Sequence, residues 1–312
     1  MSDRTLGTLG TLATLSAADR HRLRATRAEH PEAIAAAHAA RRRRPLLRGD
    51  GRLFVVAADH PARGSLGVGS DAMAMADRDS LLDRLATALA TPGVDGVLAT
   101  PDVIDDLALL GVLDDAVVVG SMNRGGLRDA SFEMDDRFTG YDVEAIVRDR
   151  LDFAKTLLRI DLDDAGSLAT LEAHARAVSA AHAAGVPIMI EPFMTSSRDG
   201  RAVNDLTPDA SVRAMSIAAG LGTSSAHTWL KVPVVEDMER VMAATTLPTL
   251  LLGGERGDDP DAVFASWEKA LALPGVRGLV AGRSLLYPSD DDVAGAVATA
   301  ARLVHPTTGS TP

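Results

Sequence analysis

Eight short apolar runs alternate with longer, alanine-rich amphipathic stretches along this chain, and that alternation leaves few folds open. The predicted strands are Leu53–Ala58, Gly96–Thr100, Ala116–Gly120, Lys155–Asp161, Pro187–Glu191, His227–Val232, Thr249–Leu252 and Gly278–Gly282. The predicted helices include Asp79–Ala90, Tyr141–Arg150, Leu168–Ala184, Pro208–Ala219, Val235–Ala243, Pro260–Ala272 and Asp291–Val304. Several runs are apolar almost throughout, which suits a parallel sheet covered by helices. Eight such units over about 250 residues predict an α/β chain folded as a (β/α)8 TIM barrel. A doubly wound open sheet is the alternative. No Gly-x-Gly-x-x-Gly follows the first run, which argues against its dinucleotide-binding form.

The barrel is expected over residues 49–306, after an N-terminal helical extension at 1–48 and before a flexible tail at 307–312. Ser16-Ala-Ala-Asp19 reads as a helix start, and the pattern stays helical to Arg44. The run Arg41-Arg42-Arg43-Arg44 reads as a solvated helix end, or alternatively as a basic docking patch.

A net charge of −11 argues against general nucleic-acid binding. No apolar run approaches the roughly 20 residues that cross a bilayer, and no signal peptide is read at the N-terminus. A cytoplasmic protein with no membrane partner is therefore expected. The chain has no cysteine, so thiolate nucleophiles, disulfides and Cys-ligated zinc are excluded.

Lysine usage points to the chemistry. There are 3 lysines against 29 arginines. Lys269 lies in a polar stretch, but Lys155 and Lys231 sit inside apolar runs. A lysine is rarely buried without a partner or a task, and desolvation lowers its pKa towards a neutral, nucleophilic amine. By strand periodicity Lys155, Leu157, Arg159 and Asp161 share one face of the fourth run, and His227, Trp229 and Lys231 share one face of the sixth. Both lysines are placed inside the barrel, where alternate strands supply a common layer. Each ammonium would then disfavour protonation of the other. The plainer reading is that each lysine pairs with a carboxylate such as Asp161 or Glu191.

Barrel chemistry gathers at the C-terminal strand ends. Those ends carry Asp59, His60 and Arg63; Asn123 and Arg124; Arg159 and Asp161; Glu191; Lys231; Gly253, Gly254, Glu255 and Arg256; and Gly282, Arg283 and Ser284. The last two groups lie where barrels bind phosphate through backbone N–H groups and an arginine.

The segments Lys155-Thr-Leu-Leu-Arg-Ile-Asp161, Ile190-Glu191-Pro192 and Leu230-Lys231-Val232, with the Gly282-Arg283 pair, resemble the class I aldolases related to tagatose-1,6-bisphosphate and deoxyribose-phosphate aldolases. The resemblance runs from about Leu53 to Tyr287. It implies that Lys231 forms a Schiff base with a substrate ketone and that Lys155 tunes it. It implies Glu191 as the acid/base for carbinolamine dehydration and C–C cleavage, and Asp59 as the strand-1 aspartate. Arg283 and the backbone near Gly254 would hold phosphate. Gly253, Gly282, Ser284, Arg159, Asp161, Arg63, His60 and Asn123 complete the expected substrate site. No cofactor and no metal are implied; the partner is a phosphorylated sugar or keto-acid, and a homo-oligomer stays an open alternative.

The tagatose-type enzymes run Asp-Gln-Arg-Gly after the first strand. Here the stretch Asp59-His60-Pro61-Ala62-Arg63-Gly64 is longer. The overall look is closer to aldolase-like barrels of inositol breakdown. For these the implied substrate is 6-phospho-5-dehydro-2-deoxygluconate, cleaved to dihydroxyacetone phosphate and malonate semialdehyde. Two other readings stay open: a sugar-phosphate isomerase or epimerase with Glu191 as base, and a non-catalytic sugar-phosphate-binding barrel. Of the eight histidines, His21, His30, His38, His174 and His182 fall in helical stretches and His305 near the tail. Only His60 and His227 approach the barrel interior.

Overall fold

A computed structural model describes residues 15–124, 126–198, 201–254 and 259–306. Residues 1–14, Glu255, Arg256 and the 307–312 tail lie outside them. Two helices come first, α1 (Ala17–Glu29) and α2 (Glu32–Ala40). Then β1 (Leu53–Ala57), α3 (Arg78–Ala90), β2 (Gly96–Ala99), α4 (Pro101–Leu110), β3 (Val117–Ser121), α5 (Val143–Arg148), β4 (Phe153–Ile160) and α6 (Gly166–Ala184) follow. The second half runs β5 (Ile188–Arg198), β6 (Arg201–Asn204), α7 (Pro208–Ala219), β7 (Thr228–Val232), α8 (Met238–Ala243), β8 (Thr249–Leu252), α9 (Pro260–Leu271), β9 (Val276–Ala281), α10 (Arg283–Leu286) and α11 (Val293–Val304).

The parallel strands pair in the order β4-β3-β2-β1-β9-β8-β7-β5, and β4 pairs back onto β5. The sheet is therefore closed, and the chain is a (β/α)8 barrel with a helical N-terminal segment. Local chemistry sets the helix starts. The side chains of Asp77, Asp142, Thr207, Asp259 and Asp292 each accept from a backbone N–H of the first turn. Proline occupies the first turn of α4, α7 and α9, where its missing N–H costs no helical hydrogen bond.

Several elements depart from the sequence reading: β6 and α10 are not among the predicted elements, the helical pattern read over Ser16–Arg44 is two helices ending at Ala40, and α4 and β5 differ as well. Helix α4 is absent from the predicted helices, because only Thr100 separates it from β2 and no longer polar linker announces it. Strand β5 runs on through Pro192 to Arg198 instead of stopping at Glu191, and its outer half pairs antiparallel with β6. Beyond Ile190 the pairing with β7 has ended, so β5 has a free edge there. A proline is tolerated at such an edge.

Inside the barrel, Leu53, Val55, Leu98, Val117, Val119, Phe153, Met189, Leu250 and Val280 form one apolar cluster. Leu46 and Leu47 pack against it, as does Trp229, whose ring meets Phe153 edge-on at 5.5 Å. The arginine run is a solvated helix end only in part: Arg42 and Arg43 are exposed, whereas Arg41 and Arg44 are largely covered. Arg41 bonds Asp152 at 3.0 Å and is 5% exposed; Arg43 takes the other Asp152 oxygen at 2.7 Å. Arg42 pairs with Asp114 and Asp115, and Arg44 with Asp95 at 2.6 Å. Asp95 and Asp152 each directly precede a strand, so the run straps the N-terminal ends of β2, β3 and β4. Asp95 also accepts from Phe54 N, Arg48 and His305. The N-terminal segment thus closes the lower mouth and leaves the C-terminal ends for chemistry.

Candidate active site

The apolar interior gives way to an ionic layer at the C-terminal ends. Strand alternation that puts Val117 and Val119 inward also puts Ser121 inward, and Ser121 pairs in register with Lys155. The same alternation turns Lys155, Glu191 and Lys231 into the barrel. Lys155 is 0% exposed, Lys231 4% and Asp59 1%, so these charges are answered by one another rather than by water.

Glu191 stands between the two lysines. Its Oε2 lies 2.5 Å from Lys155 Nζ and its Oε1 lies 3.0 Å from Lys231 Nζ. Lys155 also donates to Asp59 Oδ2 at 3.4 Å. That same oxygen accepts from Ser121 Oγ at 3.0 Å and from Arg124 Nη2. Arg124 Nε donates to Ser121 Oγ at 3.2 Å, and Thr139 Oγ1 accepts from Arg124 N at 3.0 Å. Two carboxylates therefore face three cations in direct contact.

The protonation equilibria follow from this crowding. Burial lowers the Lys155 amine well below its usual value, and Arg124 and Lys231 add to the effect against the pull of Glu191. Burial also lowers Lys231; Glu191 opposes, while Arg124 and Arg283 reinforce. Burial by itself would raise Glu191, but Lys155, Lys231 and Arg124 outweigh it and hold the carboxyl far below the usual range. Burial pushes the Arg124 guanidinium down to about 10. His60 is kept well below its ordinary value, so its ring is neutral at pH 7; burial comes first, then Arg283 and Lys231.

Other predicted site residues are held elsewhere. Arg159 is bidentate on Asp136, at 2.8 and 3.0 Å, and donates to Glu133 O. Arg63 reaches Glu133 Oε1 at 3.1 Å. These two arginines tie the long β3–α5 loop to the rim. Asn123 brackets Leu157, accepting from its N–H at 2.7 Å and donating to its carbonyl and to that of Asp136. Asp161 accepts from the backbone N–H groups of Asp163 and Ser197. The amide of Asn123 and the guanidinium of Arg159 thus serve the loop in this structure.

At the ends of β8 and β9 the backbones approach closely. A Cβ on Gly253 would lie 2.5 Å from Ala281 Cβ, and one on Gly282 would lie 2.3 Å from Ala57 O. Gly254 has φ +69°. Arg283 follows on α10 and acts electrostatically on both His60 and Lys231. Ser284 lines a groove beside Trp267, between α9 and α11. Among the described residues no cluster of His, Asp and Glu is arranged to hold a metal ion, and no helix is long and apolar enough to cross a membrane.

Sequence reasoning noted Arg124 but gave it no role, and missed Ser121. The parity of the β3 run, with Ser121 on the face of Val117 and Val119, is the signal that would have found the serine. Nothing local marks Arg124 as inward, because a loop has no parity.

A family model described as Cgl0159-like matches residues 51–301. The crystal structure of Cgl0159 from Corynebacterium glutamicum (Brevibacterium flavum) is 63% identical, over 93% of this chain and 98% of that one, with a TM-score of 0.92. An archaeal fructose-1,6-bisphosphate aldolase, solved with its catalytic lysine bound to a carbinolamine intermediate, superposes with a TM-score of 0.62 at 18% identity, over 87% of this chain and 99% of that one. A fructose-bisphosphate aldolase from Slackia heliotrinireducens DSM 20476 gives a TM-score of 0.62 at 16% identity, over 95% and 90%. These distant neighbours share the (β/α)8 barrel fold; they do not single out the tagatose or deoxyribose-phosphate branch, nor the inositol link. No curated protein sequence matches the chain.

Proposed function

The chain belongs to the Cgl0159-like family, and we propose that it is a class I aldolase, an aldehyde-lyase whose Lys231 forms a Schiff base with a phosphorylated ketose or keto-sugar acid. The observation that carries this reading is the Lys155–Glu191–Lys231 bridge buried in the barrel. Three cations against two carboxylates favour loss of one ammonium proton, which gives a neutral amine near pH 7. They also favour an anionic substrate.

In the cleavage direction the Lys231 amine adds to the ketone carbon and gives a carbinolamine. The Lys155–Glu191 pair supplies the proton with which the hydroxyl leaves as water, and an iminium remains. The bond between the α- and β-carbons then breaks. Its electron pair passes into the enamine, the β-hydroxyl loses its proton and the aldehyde departs. Protonation of the enamine carbon and addition of water release the ketone and return Lys231. The iminium is the electron sink. Arg283 and the backbone at Gly253–Gly254 and Gly282–Arg283 receive the phosphate; Ser284 serves through its backbone.

Within this class we favour 6-phospho-5-dehydro-2-deoxygluconate, an intermediate of inositol catabolism, handled in the cytoplasm; fructose 1,6-bisphosphate is the alternative suggested by the structural neighbours. Borohydride reduction with dihydroxyacetone phosphate should leave a covalent adduct on Lys231, located by mass spectrometry. Lys231→Arg should abolish both adduct and turnover, because a guanidinium forms no imine. Absence of any Lys231 adduct across a panel of ketose phosphates would sink the lyase reading.

A further inference from the structure

Retro-aldol cleavage needs a group that takes the proton of the substrate's β-hydroxyl, and neither buried carboxylate is placed to do so. Both oxygens of Glu191 are held by ammonium groups. Asp59 Oδ2 accepts from Ser121, Arg124 and Lys155 together. Three donors drain the basicity of that oxygen, and only Oδ1 is left outside the network.

His60 sits against that remaining oxygen. Its Nδ1 lies 3.8 Å from Asp59 Oδ1, is buried, and has no hydrogen-bond partner. The ring is otherwise partly open, with 23% of the side chain exposed, so the exposed edge is the one carrying Nε2. Lys231 and Arg283 both act on the ring electrostatically. The imidazole thus lies within electrostatic reach of Lys231 and Arg283.

We infer that His60, oriented through Nδ1 by Asp59 Oδ1, is the base whose Nε2 takes the β-hydroxyl proton during C–C cleavage and returns it during aldol addition; this rests on the Schiff-base aldolase reading. The O–H bond breaks and its proton moves to Nε2. The O–H pair becomes the aldehyde π bond, and the C–C pair enters the enamine on Lys231. The 3.8 Å separation exceeds a hydrogen bond, and for His60 to act in this way it has to shorten when substrate binds, as catalytic hydrogen bonds often do. His60 lies on the stretch after β1 that is longer than in tagatose-type aldolases, so it also marks where this chain parts from that pattern.

Two variants test the assignment, His60→Gln and His60→Asn. Dihydroxyacetone phosphate is the probe for borohydride trapping and for solvent-deuterium exchange at its reactive carbon, both of which need Lys231 and not a hydroxyl base. Condensation with malonate semialdehyde or glyceraldehyde 3-phosphate needs both. Each variant should trap and exchange as wild type does, while condensation falls by about 10²–10⁴-fold, the usual contribution of general acid–base catalysis. Condensation at the wild-type rate in either variant overturns the assignment, and so does parallel loss of exchange and condensation in both. If the wild-type protein itself forms no adduct, the aldolase reading fails first, which is a different result from an intact adduct with unimpaired condensation in the variants.

Discussion

Glu191→Gln removes one charge from between two buried lysines and keeps the side chain's shape. In the wild-type site Glu191 contacts Lys155 at 2.5 Å and Lys231 at 3.0 Å, and the nearest other anion is Asp59, 3.4 Å from Lys155. Breaking a buried pair by removing one partner costs about 3–5 kcal/mol. The lysines have one escape, which is to lose their protons. Against an unfolded pKa of about 10.4, neutralising one lysine at pH 7 costs at most about 4.6 kcal/mol, at about 1.36 kcal/mol per unit. Part of that is already spent, because both amines are lowered in the wild-type fold. A deficit of about 3–5 kcal/mol at pH 7 is therefore expected.

The pH dependence carries the sharper test. A lysine depressed in the fold binds fewer protons folded than unfolded, so stability rises with pH up to the unfolded value. The variant lowers both lysines further. Its stability should climb more steeply than wild type between pH 7 and 10, by up to about 1.4 kcal/mol per pH unit for each lysine that is neutral in the variant and still charged in the wild type. Urea unfolding across that range measures it. A deficit equal at pH 7 and pH 10, or one under about 1 kcal/mol at pH 7, would refute the view that Glu191 compensates two buried positive charges.

Gly282→Ala should destabilise by about 1–3 kcal/mol and raise KM for the phosphorylated substrate, because its Cβ would meet the Ala57 carbonyl two residues before Asp59; thermal melting and steady-state kinetics report it. His305→Gln should show a deficit that depends on pH. His305 is raised by its hydrogen bond to Asp95, against the effect of burial and with help from Asp50. Its charged-state stabilisation is complete below the unfolded value of about 6.5 and is lost as pH rises through the raised folded value. Melting curves from acidic to alkaline pH should show the deficit shrinking; a constant deficit refutes it.

The two lysines were legible because a buried charge in an apolar run is a local contradiction, and strand parity told which way each points. Glu191 was legible as a partner, although nothing local says that one carboxylate serves both amines. Asn123 and Arg159 were read as substrate contacts from their positions at strand ends. In the fold they hold Leu157 and Asp136, because a long loop after β3 folds back over the rim and its backbone and carboxylates need partners.

The eight barrel strands along the chain, the inward faces of β4 and β7, and the absence of thiol chemistry are properties of the sequence by itself, since periodicity and composition act over a few residues. Closure of the barrel decided the rest. Asp95 and Asp152 are far apart in sequence, yet both meet the Arg41–Arg44 run, because strand starts converge on one ring. Asp59, Arg124, Lys155, Glu191 and Lys231 come from five separate segments, and only their common burial makes each charge depend on the others.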